Sequence, residues 1–221
     1  VTADNKTDTV NADHFIIATG SSVTPLPCVE TNGSSIITSN EAISLKKVPQ
    51  HLIVIGGGVI GVELGSVYAR LGAKVSIVEY MDRLLPGMDA DLGKTLKRSL
   101  SSQHDIDFYF NTKVTGAKEN NTKNNKNVTI TAEDKQGKPL SLTGDVVLVS
   151  IGRKPNTDNL GLETVGITLN ERGQIPINSA YQTAVPSIYA IGDVVPGIML
   201  AHKASEEGVV CAEMIAGHHG V

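Results

Sequence analysis

The chain has 221 residues, 40% of them apolar, and a formal net charge of −4 at pH 7. That size buries one large or two modest cores, and the slight acidity excludes the basic surface a nucleic-acid-binding protein needs. No apolar run approaches the roughly 20 residues of a membrane-spanning helix, and Val1-Thr2-Ala3-Asp4 lacks the charged and apolar regions of a signal peptide.

In chain order, Phe15-Ile16-Ile17-Ala18-Thr19-Gly20 reads as a short strand entering a glycine turn. Cys28 lies far from Cys211, the other cysteine, and the pair has neither metal-ligand nor Cys-x-x-Cys spacing, so both are expected as reduced, partly buried thiols and no metal site is expected. The sequons at Asn5, Asn32, Asn120 and Asn127 matter only in a secreted protein and read as chance in an asparagine-rich chain.

Leu52-Ile53-Val54-Ile55 then meets Gly56-Gly57-Gly58-Val59-Ile60-Gly61, the pattern of a strand, phosphate loop and helix. Gly56, Gly58 and Gly61 supply a tight turn, a close backbone approach to pyrophosphate and a close helix-to-strand contact, and the helix N-terminus offers N–H donors. The helix shows a stripe at Ile60, Leu64, Val67 and Leu71, expected to pack on the sheet, with Gly72 placed to end it. Ala73 to Val78 forms the second strand and delivers Glu79 to its C-terminal edge, where an adenosine ribose belongs. The carboxylate accepts hydrogen bonds from ribose hydroxyls but repels a 2′-phosphate by up to about 4 kcal/mol per charge at close range, which favours NAD over NADP. A solvent-facing strand-end glutamate is the plainer alternative, and nearby Arg83 leaves some tolerance for phosphate.

Asp89 or Asp91 opens a helix carrying Leu92, Leu96 and Leu100, followed by a strand over Ile106 to Phe110. Three β-like runs, Lys113 to Lys118, Val128 to Ala132 and Pro139 to Thr143, predict an antiparallel meander. The stretch from Lys118 to Asn127 has no apolar residue and is expected as a mobile hairpin tip. Asp145 introduces the apolar run Val146 to Ile151, a buried parallel strand that closes the domain near residue 154. Ile188-Tyr189-Ala190-Ile191-Gly192-Asp193 repeats the strand-to-glycine design of residues 15–20, though two strands alone do not make a core. Ala201 to Ala216 reads as a helix with Val209, Ala212, Met214 and Ile215 on or near its apolar side, the side of Cys211 undecided, and Gly217 ending it. His218 and His219 sit in a glycine-rich tail, where a flexible or weakly metal-binding role outweighs a catalytic one.

Five motifs in register, Ala18-Thr19-Gly20-Ser21, Gly56 to Ser66, Ile151-Gly152-Arg153-Lys154-Pro155-Asn156, Tyr189 to Val194 and Met199-Leu200-Ala201-His202-Lys203-Ala204, resemble the central part of the dihydrolipoamide dehydrogenases, a branch of the flavoprotein disulfide reductase family. The resemblance implies an α/β fold: a Rossmann-like NAD-binding domain (parallel sheet plus β-meander) over residues 41–154, flanked by partial FAD-binding segments at 1–40 and 155–221. It implies that Gly56, Gly57, Gly58, Val59, Ile60, Gly61 and Val62 cradle the NAD pyrophosphate and that Glu79 holds the adenosine ribose. Val114 and Gly152 would line the adenine and nicotinamide sides, and Glu63 would stand beside the nicotinamide. On the FAD side it implies Thr19, Gly20 and Ser21, Asp193 accepting from a flavin ribityl hydroxyl, and backbone groups of Met199, Leu200, Ala201 and His202 at the isoalloxazine edge, His202 being positional.

The family passes electrons from dihydrolipoamide to a redox disulfide, then through FAD to NAD. The first glycine-rich FAD loop, the redox Cys-x-x-x-x-Cys pair and the His–Glu base all fall outside this sequence, so no catalytic residue is assigned here, the FAD site is incomplete, and the chain alone is expected to bind NAD without turnover. For a full-length enzyme the resemblance implies a homodimer serving lipoyl domains of 2-oxo acid dehydrogenase or glycine cleavage complexes, in the mitochondrial matrix of a eukaryote or the cytoplasm of a bacterium. An NADH oxidase or other disulfide reductase of the superfamily, and a non-catalytic nucleotide-binding module, are the alternatives.

Overall fold

The computed structural model describes residues 2–3, 6–122 and 125–218; of the positions singled out above, Val1, Asp4, Asn5, Lys123, Asn124 and His219 lie outside the described residues. Strands β1 (Thr2–Ala3), β2 (Lys6–Thr7), β3 (Phe15–Ile17), β4 (Ser21–Val23) and β5 (Ile36–Ile37) precede helix α1 (Ser39–Ala42). There follow β6 (His51–Ile55), α2 (Val59–Arg70), β7 (Lys74–Val78), α3 (Ala90–Gln103), β8 (Ile106–Tyr109), β9 (Thr112–Thr122), β10 (Asn125–Asp134) and β11 (Pro139–Gly144). The chain ends with β12 (Val146–Val149), β13 (Arg153–Pro155), β14 (Ile188–Ala190) and α4 (Ala201–Ile215). These elements form two compact units, one of residues 23–152 and the other of 1–22 with 153–221. The first unit therefore begins well before residue 41, because β5 is a strand of its sheet.

In the 23–152 unit a five-stranded sheet of order β5-β12-β6-β7-β8 is parallel throughout. Its side chains alternate between two cores. Leu52 and Val54 of β6 join Val75, Ile77 and Leu148 against residues of α1, α2 and α3, while Ile53 and Ile55 join Val78, Val147 and Val149 against Val128, Ile130 and Ala132 of β10. Helices thus cover one face and the β11-β10-β9 meander the other, and each β6 side chain is at most 4% exposed apart from that of His51. A strand buried on both faces reads as an unbroken apolar run, as β6 does from Leu52 to Ile55 and β12 from Val146 to Val149.

Two expectations for this unit are corrected. The sheet-facing side of α2 is Gly61, Gly65 and Ala69 with Val62 and Tyr68, whereas Val67 and Leu71 of the apolar stripe are 45% and 58% exposed. The physical reason is distance: a Cβ on Gly65 would already lie 3.4 Å from Ile77 Cδ1, so the nearest helix face has room only for small residues. Leu64, Val67 and Leu71 of the stripe line an apolar groove of about 370 Å³ with Ala42, Ile43, Leu45 and Val48, and of those three stripe residues only Leu64 also packs against the helix-side core. The stretch from Lys118 to Asn127 is not simply a hairpin tip. Strands β9 and β10 pair backbone to backbone from Thr112↔Asp134 out to Thr122↔Asn125, and a hydrogen-bonded ribbon needs no apolar side chains to extend.

α3 behaves as read, with Asp89 accepting from Asp91 N–H (2.8 Å) as its N-cap and Leu100 buried, although Leu92 is 58% exposed. In the other unit β3 and β14 pair in parallel, and Leu162, Ile167, Ile175, Ala190, Val194 and Val195 build a small core beside them. The segment between β13 and β14, together with the turn that follows β14, completes the core that the two strands alone do not make. On α4 the buried residue is Cys211, while Val209 is 57% exposed and Ala212 is exposed too, so the apolar side lies elsewhere than the composition suggested. Cys28, expected partly buried, is exposed; both cysteines are free thiols. Among the described residues no helix is long and apolar enough to cross a membrane, and no group of three or more His, Cys, Asp or Glu is placed to hold a metal ion.

Candidate functional site

The glycine loop joins the C-terminal end of β6 to the N-terminus of α2, the position where an open parallel sheet exposes a ligand crevice. Gly56 has φ +112°, and a Cβ there would overlap the Ser150 carbonyl; one on Gly61 would overlap the Gly56 carbonyl and lie 2.6 Å from Ser150 Oγ. Both glycines are thus required by the protein's own packing. Gly58 is different: it is extended at φ −74° and a Cβ on it would meet nothing within 4 Å. Its missing side chain leaves space beside the helix end. No side chain caps α2 and no acid sits in its first turn; the first helical hydrogen bond runs from Val62 N–H to the Gly58 carbonyl (3.0 Å), so the N–H groups of Val59, Ile60 and Gly61 have no intrahelical partner. An open, uncapped helix N-terminus beside a side-chain-free residue fits a phosphate group in charge and in shape.

Glu79 follows β7 and is 7% exposed. Its Oε2 accepts from Gly57 N–H (2.5 Å) and its Oε1 from Met81 N–H (2.6 Å), so its carboxylate is fixed against the loop rather than free in solvent. Each carboxylate oxygen retains a lone pair for a ligand hydroxyl. Thr112 N–H donates to the Glu79 carbonyl (3.0 Å), which brings the start of β9 to this edge; Val114, two residues on, is 8% exposed and packs in the core under the meander. Arg83 is paired with Asp82 at 3.7 Å and is directed to it rather than to Glu79. A groove of about 540 Å³ next to this edge is lined by residues 80–83, 111, 113 and 133–135, with Asp82, Glu133 and Asp134 set among Arg83, Lys113 and Lys135. Glu63, in the second turn of α2, is exposed and among the described residues has no side-chain hydrogen bond or ion pair. Gly152 has φ +127° and its carbonyl accepts from Thr24 N–H (3.0 Å).

In the other unit, Thr19, Gly20 and Ser21 converge with Asp193. Ser21 Oγ donates to Asp193 Oδ2 (2.5 Å) and accepts from Arg153 Nε (2.7 Å), while Arg153 Nη2 donates to the Ser21 carbonyl (2.6 Å). A guanidinium only donates, so the single hydroxyl proton of Ser21 is committed to the carboxylate. Asn156 locks the neighbouring turn, donating from Nδ2 to the Thr19 carbonyl (3.0 Å) and from its N–H to the Gly20 carbonyl (2.8 Å). Glu207 accepts from Gly192 N–H (2.7 Å) and pairs with Lys203 (2.7 Å), fixing α4 to the turn that carries Asp193. Leu200 N-caps α4 without a side-chain bond, and Leu200, Ala201 and His202 are exposed with Met199 half-buried. These groups offer a carboxylate and an uncapped helix end to a polyhydroxylated, electron-rich ligand, which fits part of a flavin site. Arg153, Asn156 and Glu207 received no role from the sequence. The first two lie inside a motif that was recognised, and the Lys203–Glu207 spacing of four is legible on a helix.

Residues 1–208 match the model of the pyridine nucleotide-disulphide oxidoreductase family, and the chain belongs to that family. Within it the chain is 49% identical over 217 residues to the mitochondrial dihydrolipoyl dehydrogenases of Bos taurus and Homo sapiens, covering 97% of this chain and 42% of each of those proteins. Among solved structures it is similar to LpdA from Mycobacterium tuberculosis (TM-score 0.85, 31% identity, 99% of this chain and 46% of that one). A second is the HOCl-induced flavoprotein disulfide reductase RclA from Escherichia coli (TM-score 0.79, 27% identity, 94% of this chain and 46% of that one). The chain therefore spans less than half the length of these relatives.

Proposed function

We propose that this chain is the pyridine-nucleotide-binding part of a dihydrolipoyl dehydrogenase, with the unit of residues 23–152 forming the NAD-binding domain and that of 1–22 with 153–221 contributing to the FAD-binding region. The observation that carries the reading is the pairing of an uncapped α2 N-terminus beside open space at Gly58 with a fixed acid, Glu79, at the next strand end. The similarity to mitochondrial dihydrolipoyl dehydrogenases supports the choice of branch over an NADH oxidase or a non-catalytic module.

In this reading the N–H groups of Val59, Ile60 and Gly61 hold the pyrophosphate of NAD, and Glu79 accepts from the adenosine ribose hydroxyls. Its charge disfavours a 2′-phosphate. Exposed and unpaired, Glu63 stands ready for a cationic partner or for the nicotinamide edge. Val114 and Gly152 bound the two ends of the dinucleotide. When bound, FAD supplies the electron-pair transfer between the redox disulfide and the nicotinamide. Asp193, its orientation set by Ser21, accepts from a ribityl hydroxyl, and Thr19, Gly20 and Met199 to His202 shape the edge of that site. The whole protein would act on dihydrolipoyl groups of 2-oxo acid dehydrogenase or glycine cleavage complexes as a homodimer, in the mitochondrial matrix of a eukaryotic source.

Fluorescence titration of the chain with NADH and NADPH tests the nucleotide assignment: NADH should bind at least about tenfold more tightly, as one charge repulsion of the size argued above requires. Equal or reversed affinities would refute it. Activity of the native polypeptide that contains this sequence, on dihydrolipoamide against oxygen, tests the branch; oxygen consumption without lipoamide activity refutes it.

A further inference from the structure

We infer that the segment from Glu79 to Met88 is a brace that sets the shape of the phosphate-binding loop, with Glu79 and Leu85 as positioning residues that act through Gly57. The inference rests on the dinucleotide reading and deepens it.

Gly57 is held at both of its backbone polar groups. Its N–H donates to Glu79 Oε2 (2.5 Å), and its carbonyl accepts from Leu85 N–H (2.9 Å). Leu85 makes that bond from a left-handed backbone, φ +51°, a conformation that a residue with a Cβ adopts at a cost. Such strain persists only where the surroundings impose it, and here they do. Leu84 is 1% exposed, with its Cδ2 3.1 Å from the position of a Cβ on Gly57. The Leu84 carbonyl lies so close to α3 that a Cβ on Gly93 would sit 2.6 Å from it. Met88 N–H closes the turn on the Leu85 carbonyl (2.8 Å), and Met81 N–H fixes the second oxygen of Glu79 (2.6 Å).

The brace has a consequence for ligand binding. Gly56 N–H is already committed to the Val78 carbonyl (2.9 Å) and Gly57 N–H to Glu79, so the anion-binding donors begin at Gly58. The direction in which those donors point depends on how Gly57 is held. A glutamate that only read the ribose would need no bond to the loop. Glu79 therefore joins two tasks, and changing it to alter cofactor preference also loosens the pyrophosphate cradle.

NADH and NADPH share the pyrophosphate and differ at the 2′ position, so a brace defect weakens both by one factor, whereas a ribose-reading defect changes their ratio. Leu85→Pro removes the N–H and the left-handed backbone together. With the chain shown folded by circular dichroism, it should raise both dissociation constants about tenfold with the NADH/NADPH ratio unchanged, the upper end of what a lost backbone hydrogen bond costs. Leu85→Gly keeps the N–H and tolerates positive φ, so it should bind both nucleotides within about threefold of the parent. Glu79→Gln cannot accept from both amides, so NADH affinity should fall, while the loss of its charge relieves the 2′-phosphate and shifts the NADH/NADPH ratio. Leu85→Pro binding like the parent overturns the brace, and if that variant does not fold, Gly57 and Leu85 amides in the parent chain that exchange with solvent as fast as those of an unstructured loop overturn it. A parent chain that binds no NADH overturns the dinucleotide reading, and the brace with it.

Discussion

Gly58→Ala separates a glycine kept for a ligand from glycines kept for the fold. A Cβ at Gly58 meets nothing within 4 Å and its φ of −74° suits alanine, so stability should change by no more than about 0.5 kcal/mol, as at an unconstrained surface site. In the proposed reading the same methyl stands where the pyrophosphate approaches, and displacing one or two hydrogen bonds to a charged group costs about 1.5–3 kcal/mol, a rise of roughly 10- to 150-fold in the NADH dissociation constant. Gly61→Ala should do the reverse first: its Cβ would overlap the Gly56 carbonyl, lie 2.6 Å from Ser150 Oγ and 3.0 Å from Val54 Cγ1. Overpacking of that kind costs about 1–3 kcal/mol, which lowers the melting temperature by roughly 2–12 °C in a chain of this size. Thermal unfolding followed by circular dichroism, with NADH titration below the transition, reads both effects. A Gly58→Ala chain that binds NADH like the parent refutes the placement of the ligand. A Gly61→Ala chain with an unchanged melting temperature refutes the packing argument.

Alkylation with iodoacetamide near neutral pH should label exposed Cys28 and spare Cys211, which is 0% exposed and whose thiol pKa is pushed up by burial; labelling of both in the folded chain would contradict the burial of Cys211. Arg153→Ala removes two short hydrogen bonds to Ser21 and should destabilise its unit by about 1.5–3 kcal/mol, whereas a urea midpoint equal to the parent's would mean the pair is solvent-screened. The capping box between Thr38 and Glu41 holds the Glu41 carboxyl below its ordinary range, chiefly through the Thr38 N–H and then its hydroxyl. A lowered folded-state value stabilises above the unfolded value and is lost as pH falls through it. Glu41→Ala should therefore cost about 1 kcal/mol at pH 7, and the gap to the parent should close below about pH 4; a gap independent of pH would show that the carboxylate is not the cap.

Strands β6 and β12 of the parallel sheet were legible because they are buried on both faces and so carry apolar runs, flanked by the glycines that a sharp exit demands, whereas the two-residue strand β5 was too short to read. The face of α2 was not legible, because hydropathy weighs side chains by size and the sheet-facing positions, Gly61, Gly65 and Ala69, are the ones with least to weigh. The extension of β9 and β10 through an asparagine-rich stretch escaped for a related reason: backbone pairing carries it, and composition reports only side chains.

The same asymmetry governs the candidate site. Glycine spacing and an acid at a strand end are local signals, so Gly56 to Gly61 and Glu79 can be read in a single pass. What fixes them comes from elsewhere in the sequence and leaves no spacing rule: Ser150 closes on Gly56 and Gly61 from β12, and Leu85 reaches Gly57 from a loop. Leu85 even argues against its own role, since a leucine at a left-handed position breaks local preference. A local rule broken at one residue, beside a loop whose N–H groups at Gly56 and Gly57 are both committed, is where the fold gives up intrinsic preference to hold a loop in a shape that suits an anion.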